Sequence, residues 1–501
     1  MFLISCMFFI ILLIYGYFKL KSKYSYWNKK GVKGPTPLPF IGNCASVFCM
    51  KQSFPGLMKS IYAEYSDEKI VGIYSGVTPI LLVRDVELLK HILIKDFSSF
   101  QDRGFKSSRS RISNNLFEVE GDMWKVLRHK LTPIFTSKKL KEMMPLLTQS
   151  ANNFTKHVNC LLDNKSEHEL RSLCSQLTLD IIGSTVFGID VDAYSDDSIF
   201  ARMTKNIVPR SSILQQSLLL IDMIVPGFRK LCSFADSNEL FIFIKSLLTS
   251  IIRDREGQTK VRHDFMDLLI QLKEDGRASR LDDEGLKEIE ITDEIIESQA
   301  LLFYAAGSES NASLFSFFLY ELALNQKVQE KLYQEICDFS NKYNNEITLE
   351  SLSELSYLQM VINETTRKRP TGQFILRKAV TDYKIPDSDI VIDKGTSLYI
   401  SIDGLHSDPK HFERPDEFNP EKFSPENMKN IPQCAFMPFS VGPRNCIAKR
   451  FAETVAKVGM FMFLKEFKVE PSSKTKEKLE FDVRVFTPRS KDGLWVNLSK
   501  R

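Results

Sequence analysis

The sequence predicts a mainly α-helical globular body with a minor β part, preceded by an N-terminal transmembrane helix. Three observations predict it. Phe2 to Phe18 is almost wholly apolar and carries no charge. From about Gly121 to Asn345 the apolar residues recur mostly at spacings of three and four, the period of one helix face. Short β-branched, Gly- and Pro-punctuated runs are confined to residues 70–83 and to the stretch beyond Thr381.

Taken in order, the first apolar run at about 1.5 Å per residue nearly matches the roughly 30 Å hydrocarbon thickness of a bilayer, which defines an anchor over residues 1–20. No basic stretch precedes it and no small-x-small site follows it, so it does not read as a cleaved signal peptide. Lys19, Lys21, Lys23, Lys29, Lys30 and Lys33 all follow the run, and this bias keeps the next domain on the cytosolic side. Gly34-Pro35-Thr36-Pro37-Leu38-Pro39 then reads as a stiff, extended segment, closing a basic, Pro-rich hinge over residues 21–43. Residues 44–501 form the globular domain. Within it Ile70–Tyr74 and Ile80–Val83 read as strands, Asp85 opens a helical stretch, and a last long helix starts near Cys446.

Composition limits the function. With 43% hydrophobic and 26% charged residues in 501, the chain has material for a large core and no sign of disorder. The net charge is +4, but residues 1–63 hold eight Lys and no acid, leaving the remainder at −4. A basic surplus restricted to the membrane flank argues against a nucleic-acid groove. Nine Cys without a C-x-x-C pair exclude a disulfide scaffold or a structural zinc site.

One cysteine stands apart. Phe439-Ser440-Val441-Gly442-Pro443-Arg444-Asn445-Cys446 delivers a thiol to a helix start, where unpaired N–H groups and the dipole lower a thiol pKa. Gly442 permits a flat cofactor to approach the backbone, and Arg444 can pair with a cofactor carboxylate. Trp124 and Arg128 lie four apart on one helix face. Glu364 and Arg367 lie three apart and can form an ion pair. Ala306-Gly307-Ser308-Glu309-Ser310 places a glycine inside an apolar helix, which costs about 1 kcal/mol and suggests that something approaches the backbone there.

These segments, in this order, resemble the cytochrome P450 family. The cysteine loop matches F-x-x-G-x-R-x-C-x-G at every fixed position except the last, where Ala448 stands. Ala306 to Ser310 is similar to the family's A-G-x-E/D-T segment, with Ser310 in place of Thr, and Glu364/Arg367 to its E-x-x-R pair. Pro420-Glu421-Lys422-Phe423 departs from P-x-R-F, and Lys lacks the bidentate fork of Arg. Phe100-Gln101-Asp102-Arg103-Gly104 and the segment Leu131 to Ser137 resemble the microsomal insect detoxification-type members, related to the vertebrate drug-metabolising group.

The resemblance implies the P450 fold and haem b, iron protoporphyrin IX, ligated by the Cys446 thiolate. It places Arg444, Phe439, Gly442, Trp124, Arg128 and Arg377 around the haem, with Arg128 and Arg377 on its propionates. It implies that Ala306, Gly307, Glu309 and Ser310 serve oxygen activation, Glu309 and Ser310 as proton carriers. The expected reaction puts one oxygen atom into a lipophilic substrate and one into water. Electrons are expected from NADPH through a membrane-bound P450 reductase, with cytochrome b5 a second expected donor, at a patch of Lys125, Lys130, Lys138, Lys139, Lys449 and Arg450. Phe105, Phe117, Phe303, Phe374 and Ile375 are the pocket candidates, and the expected location is the endoplasmic reticulum membrane. Two rival readings stay open at this point: a haem-thiolate isomerase or dehydratase that needs no reductase, and a catalytically silent haem-binding membrane protein.

Overall fold

Several helix starts coincide with side chains that cap them, so local chemistry helps set the element order there. Ser53 accepts the Gly56 N–H, Asp85 the Leu88 N–H and Thr292 the Ile295 N–H, each satisfying a donor that a first turn leaves unpaired. The structure, a computed structural model, describes residues 20–104, 114–189, 191–195, 239–255, 265–282, 285–485 and 487–501. The main helices are α1 (Phe54–Glu64), α2 (Gly121–Leu131), α3 (Ser137–Leu162), α4 (Leu170–Ile182), α5 (Glu239–Arg255), α6 (Phe265–Asp275), α7 (Asp293–Leu324), α8 (Gln326–Tyr343), α9 (Ser356–Lys368) and α10 (Lys449–Glu466). The body is mainly helical with minor sheet.

Helix α7 is its axis. Every residue from Asn311 to Ala323 is buried, as expected of a helix apolar on all sides, and α4 and α10 are among the helices packed against it. The four-stranded sheet has the order β1 (Ile70–Ser75), β2 (Thr78–Val83), β9 (Ser397–Ser401), β6 (Phe374–Lys378). The pairing of β1 with β2 is antiparallel, Ile70 facing Val83, whereas β2 and β9 run parallel, Leu82 facing Tyr399. On β6 burial alternates, so Ile375 and Arg377 share the buried face and Phe374 turns to the other. This sheet holds a second apolar core beside the helical one.

Three sequence expectations change. The middle of the chain is not helical throughout: a hairpin of β4 (Arg277–Asp282) and β5 (Gly285–Glu290) interrupts it. Alternating burial along β5 is the period-two pattern that a helical reading overlooks. The last helix begins at Lys449, past Cys446 rather than at it. The 21–43 segment, read as a stiff hinge outside the globular body, is packed onto the sheet. Trp27 is buried over Gly72, where a Cβ would lie 2.3 Å from the indole, and its ring N–H donates to the Ile73 carbonyl oxygen at 3.0 Å. Lys30 reaches Asp393 at 2.7 Å. Body packing therefore begins before residue 44. The Phe2–Phe18 run lies outside the described residues; among those described, no helix is long and apolar enough to cross a membrane.

Candidate active site

The cysteine loop is shaped by its backbone. The Cys446 N–H donates to the Phe439 carbonyl oxygen at 2.9 Å, and Ser440 and Gly442 take φ values of 59° and 77°. A Cβ on residue 442 would stand 1.8 Å from the Leu93 carbonyl oxygen. The glycine is thus required by a backbone crossing in addition to its left-handed φ.

Cys446 is exposed, yet burial pushes its thiol pKa up, while the Ala448 amide, Arg128 and Arg103 draw it back. The helix itself starts three residues later, and the amide of its N-cap residue, Ala448, is among the groups that favour the thiolate against burial. Among the described residues no cluster of three His, Cys, Asp or Glu could hold a bare metal ion.

Four guanidinium groups act on this region. Arg444 and Arg377 are each only 1% exposed. Arg444 donates to the carbonyl oxygens of Gln101 and Val119, lies 4.8 Å over the Trp124 ring, and leaves its Nε without an acceptor. Arg377 donates through Nη1 to the Leu376 carbonyl oxygen at 2.8 Å and leaves Nε and Nη2 unpartnered. Burial, then the neighbouring Arg444, lowers the Arg377 pKa to about 9. Arg128 spends Nη1 and Nη2 on Asn445. Arg103, which the sequence offered only as part of a local word, donates to the Phe117 carbonyl oxygen at 2.9 Å and feels Arg444, Arg377, Arg128 and Cys446. Burial and those like charges hold its pKa well below the ordinary arginine value. Buried cations left with orphaned donors are costly; a bound group bearing two carboxylates satisfies them, which is the fit a porphyrin dicarboxylate requires.

On α7, Ala306 is exposed, and Ser310, one turn on, donates to its carbonyl oxygen at 2.7 Å. Glu309 turns to α4, where Arg171 pairs with its carboxylate and Thr487 donates to it at 2.7 Å. Neither partner had a sequence signal, since both lie far away along the chain. Gly307 is a point of close approach, but to Ile182 Cδ1, 2.6 Å from where a Cβ would stand; the neighbour is a packed side chain.

The Glu364/Arg367 pair is fully buried and bidentate, at 2.7 and 2.8 Å. Arg367 also donates to the His406 carbonyl oxygen at 2.9 Å. Lys422 fills the third place in spite of the departure from P-x-R-F: its Nζ lies 3.3 Å from Glu364 and 2.8 Å from the Glu417 carbonyl oxygen. It acts as a point charge with rotatable donors where Arg would supply a fork.

The pocket candidates divide. Phe303 is packed between Phe135 and Phe265, ring centroids 5.7 and 4.3 Å away, and is core. Ile375 is buried on the Arg377 side of β6. Phe374, on the opposite side, stacks on Tyr399 at 5.2 Å. Phe117 is exposed under the Arg103 guanidinium at 4.0 Å. Phe105 lies outside the described residues.

A thiol on a glycine-bent loop, under the charge of Arg128 and Arg103 in a region where Arg377 and Arg444 leave donors unsatisfied, defines a haem-thiolate class of protein. The cytochrome P450 family model matches residues 32–494. The chain is 37% identical to cytochrome P450 6B7 of Helicoverpa armigera, covering 98% of this chain and 97% of that one. It is 36% identical to cytochrome P450 6B1 of Papilio polyxenes over 95% and 96% of the two chains, and 34% identical to cytochrome P450 6d1 of Musca domestica over 97% of each. The chain belongs to the cytochrome P450 family and is a haem-dependent mono-oxygenase.

Proposed function

We propose that this chain is a microsomal mono-oxygenase of lipophilic small molecules, anchored by residues 1–20 with its catalytic body on the cytosolic face of the endoplasmic reticulum. Cys446 is the haem ligand in this reading. Arg103, Arg377, Arg444 and Trp124 hold the porphyrin carboxylates, Arg128, expected on a propionate, holds the cysteine loop through Asn445 instead, and Ala306 and Ser310 face the oxygen-binding side. When bound, haem supplies the electron-transfer and oxygen-activating chemistry. The chain's own residues orient it, keep bulk water out through the apolar α7, and hold protons at the Glu309 carboxylate and Ser310 Oγ.

The single observation that carries the reading is the set of orphaned donors on Arg377 and Arg444 in a region that also acts on Cys446. Electrons come from NADPH through a flavoprotein reductase, with cytochrome b5 as a second donor, at the cationic surface formed by Lys138, Lys449 and Arg450, all exposed. A reduced-plus-CO difference spectrum tests the ligand: the red-shifted thiolate Soret band is expected in the full chain and absent in Cys446→Ser. NADPH-dependent oxygen uptake with reductase present separates this reading from an isomerase or a silent haem protein; no uptake with any lipophilic substrate refutes it.

A further inference from the structure

A cavity of about 280 Å³ opens between α4, α7 and the 482–494 segment, and its walls include Arg171, Ser313, Asp482, Arg484, Arg489 and Lys491. The acids in it are already engaged. Glu169 accepts the N–H groups of Arg171, Ser172 and Leu494 at 3.1, 2.7 and 3.0 Å. Asp482 takes Arg484 in a bidentate pair at 2.8 and 2.7 Å, and Lys491 reaches Glu480 at 3.2 Å.

Two cations remain under-satisfied. Arg171 is 7% exposed and, although it binds Ser313 and Glu309, its Nε is buried without an acceptor. The Arg489 side chain makes no hydrogen bond or ion pair among the described residues, and it acts on Arg171 as a like charge. Two guanidinium groups facing one polar cavity present the planar donor forks that bind tetrahedral oxyanions. The volume is many times what one water needs.

We propose that this cavity binds a small dianion of the phosphate or phosphomonoester class between Arg171 and Arg489, and that its occupancy draws Arg171 away from Glu309. The site stands on the cavity and its donors alone. The coupling rests on the proposed role of Glu309 as a proton carrier.

The test uses the full-chain holoenzyme in detergent, with inorganic phosphate or glycerol phosphate added against potassium chloride at equal ionic strength. Either probe near saturation is expected to raise the melting midpoint by about 2–4 °C, and Arg489→Ala to abolish the rise. In the unmutated enzyme, a probe at about ten times its Kd slows phenylglyoxal modification of Arg489 by about tenfold, since only the empty fraction reacts. Protection by glycerol phosphate alone would identify a phosphomonoester site, and protection by both the shared phosphate chemistry. An equal melting rise in Arg489→Ala, or unprotected Arg489, overturns the site. If the site holds, peroxide lost per NADPH changes with phosphate in the wild type and not in Arg489→Ala; a site that binds phosphate with no such change overturns the coupling alone.

Discussion

Arg128 on α2 grips Asn445 of the cysteine loop with both terminal nitrogens, Nη1 on the backbone carbonyl oxygen and Nη2 on the side-chain oxygen, each at 2.7 Å. One side chain therefore fixes the residue next to the sulfur and contributes a cation beside it. Bonds to charged groups contribute about 1.5–3 kcal/mol, and about 1.4 kcal/mol is tenfold in an equilibrium. Asn445→Ala is expected to speed haem loss about tenfold and Arg128→Ala about a hundredfold, with Arg128→Lys between them. Haem transfer to apomyoglobin reads the rates; an inverted order contradicts the relationship.

Gly307 and Ile182 make a separable pair. Gly307→Ala gains helix propensity, about 1 kcal/mol, but its Cβ meets Ile182 Cδ1, and overpacking costs about 1–3 kcal/mol. Ile182→Val removes that carbon at about 0.5–1.5 kcal/mol. The double variant is expected to melt above Gly307→Ala alone. If the two losses simply add, the glycine is needed for something other than Ile182.

How much of this was readable depended on whether the determinant was local. The helix start at Asp85, the strands around Gly76, the α7 apolar run and the Glu364/Arg367 spacing are all properties of short windows, and the sequence exposes them. The β4–β5 hairpin was not legible because half of its strand residues are charged and its alternation appears only once one face is packed on α2. Gly307 and Gly442 were flagged as close approaches, but the approaching atoms, Ile182 Cδ1 and the Leu93 carbonyl oxygen, are remote in sequence. Arg103 and Arg171 escaped functional assignment for the same reason. Nothing within a few residues of either indicates that it will be buried among other charges.

His406 introduces a pH dependence. It is wholly buried; its Nε2 accepts the Met437 N–H at 3.0 Å, and burial followed by the Arg367 charge lowers its pKa from 6.5 to about 3. Above pH 6.5 the ring is neutral folded or unfolded. Below it the unfolded chain binds a proton that the fold refuses, so stability falls by up to about 1.4 kcal/mol per pH unit towards pH 3. His406→Gln retains an acceptor and removes the titration. Denaturation midpoints at pH 7 and pH 5 should converge in the variant relative to wild type; an unchanged difference assigns the acid sensitivity elsewhere.

The Glu364 network should show a large asymmetry between its members. Glu364→Ala strands a buried Arg367 together with Lys422, and breaking a buried pair on one side costs about 3–5 kcal/mol. Lys422→Ala leaves the bidentate pair of Arg367 and Glu364 intact, and so is expected to cost about 1 kcal/mol. Unfolding midpoints of the two single variants check the order. Comparable losses would mean that the Lys422 contact is as important as the fork.

The docking patch is uneven, and this determines which substitution is informative. Lys125 is 19% exposed and close to Asp122, which Lys287 of the hairpin also approaches, so its charge is largely spent within the protein. Lys449 is exposed and only loosely paired, 3.9 Å from Glu453, and Arg450 lies exposed beside it. Steering between charged surfaces changes association rates and weakens with salt. Lys449→Glu is therefore expected to slow reductase-driven haem reduction about tenfold at low ionic strength and to approach wild type in roughly 0.5 M salt, where the screening length falls to a few ångströms. Lys125→Glu should have the smaller effect, because reversing it also disturbs the Asp122 contact without exposing much new charge. Stopped-flow reduction across a salt series measures both, and a Lys449→Glu rate that tracks wild type at every salt concentration removes this face from the docking surface.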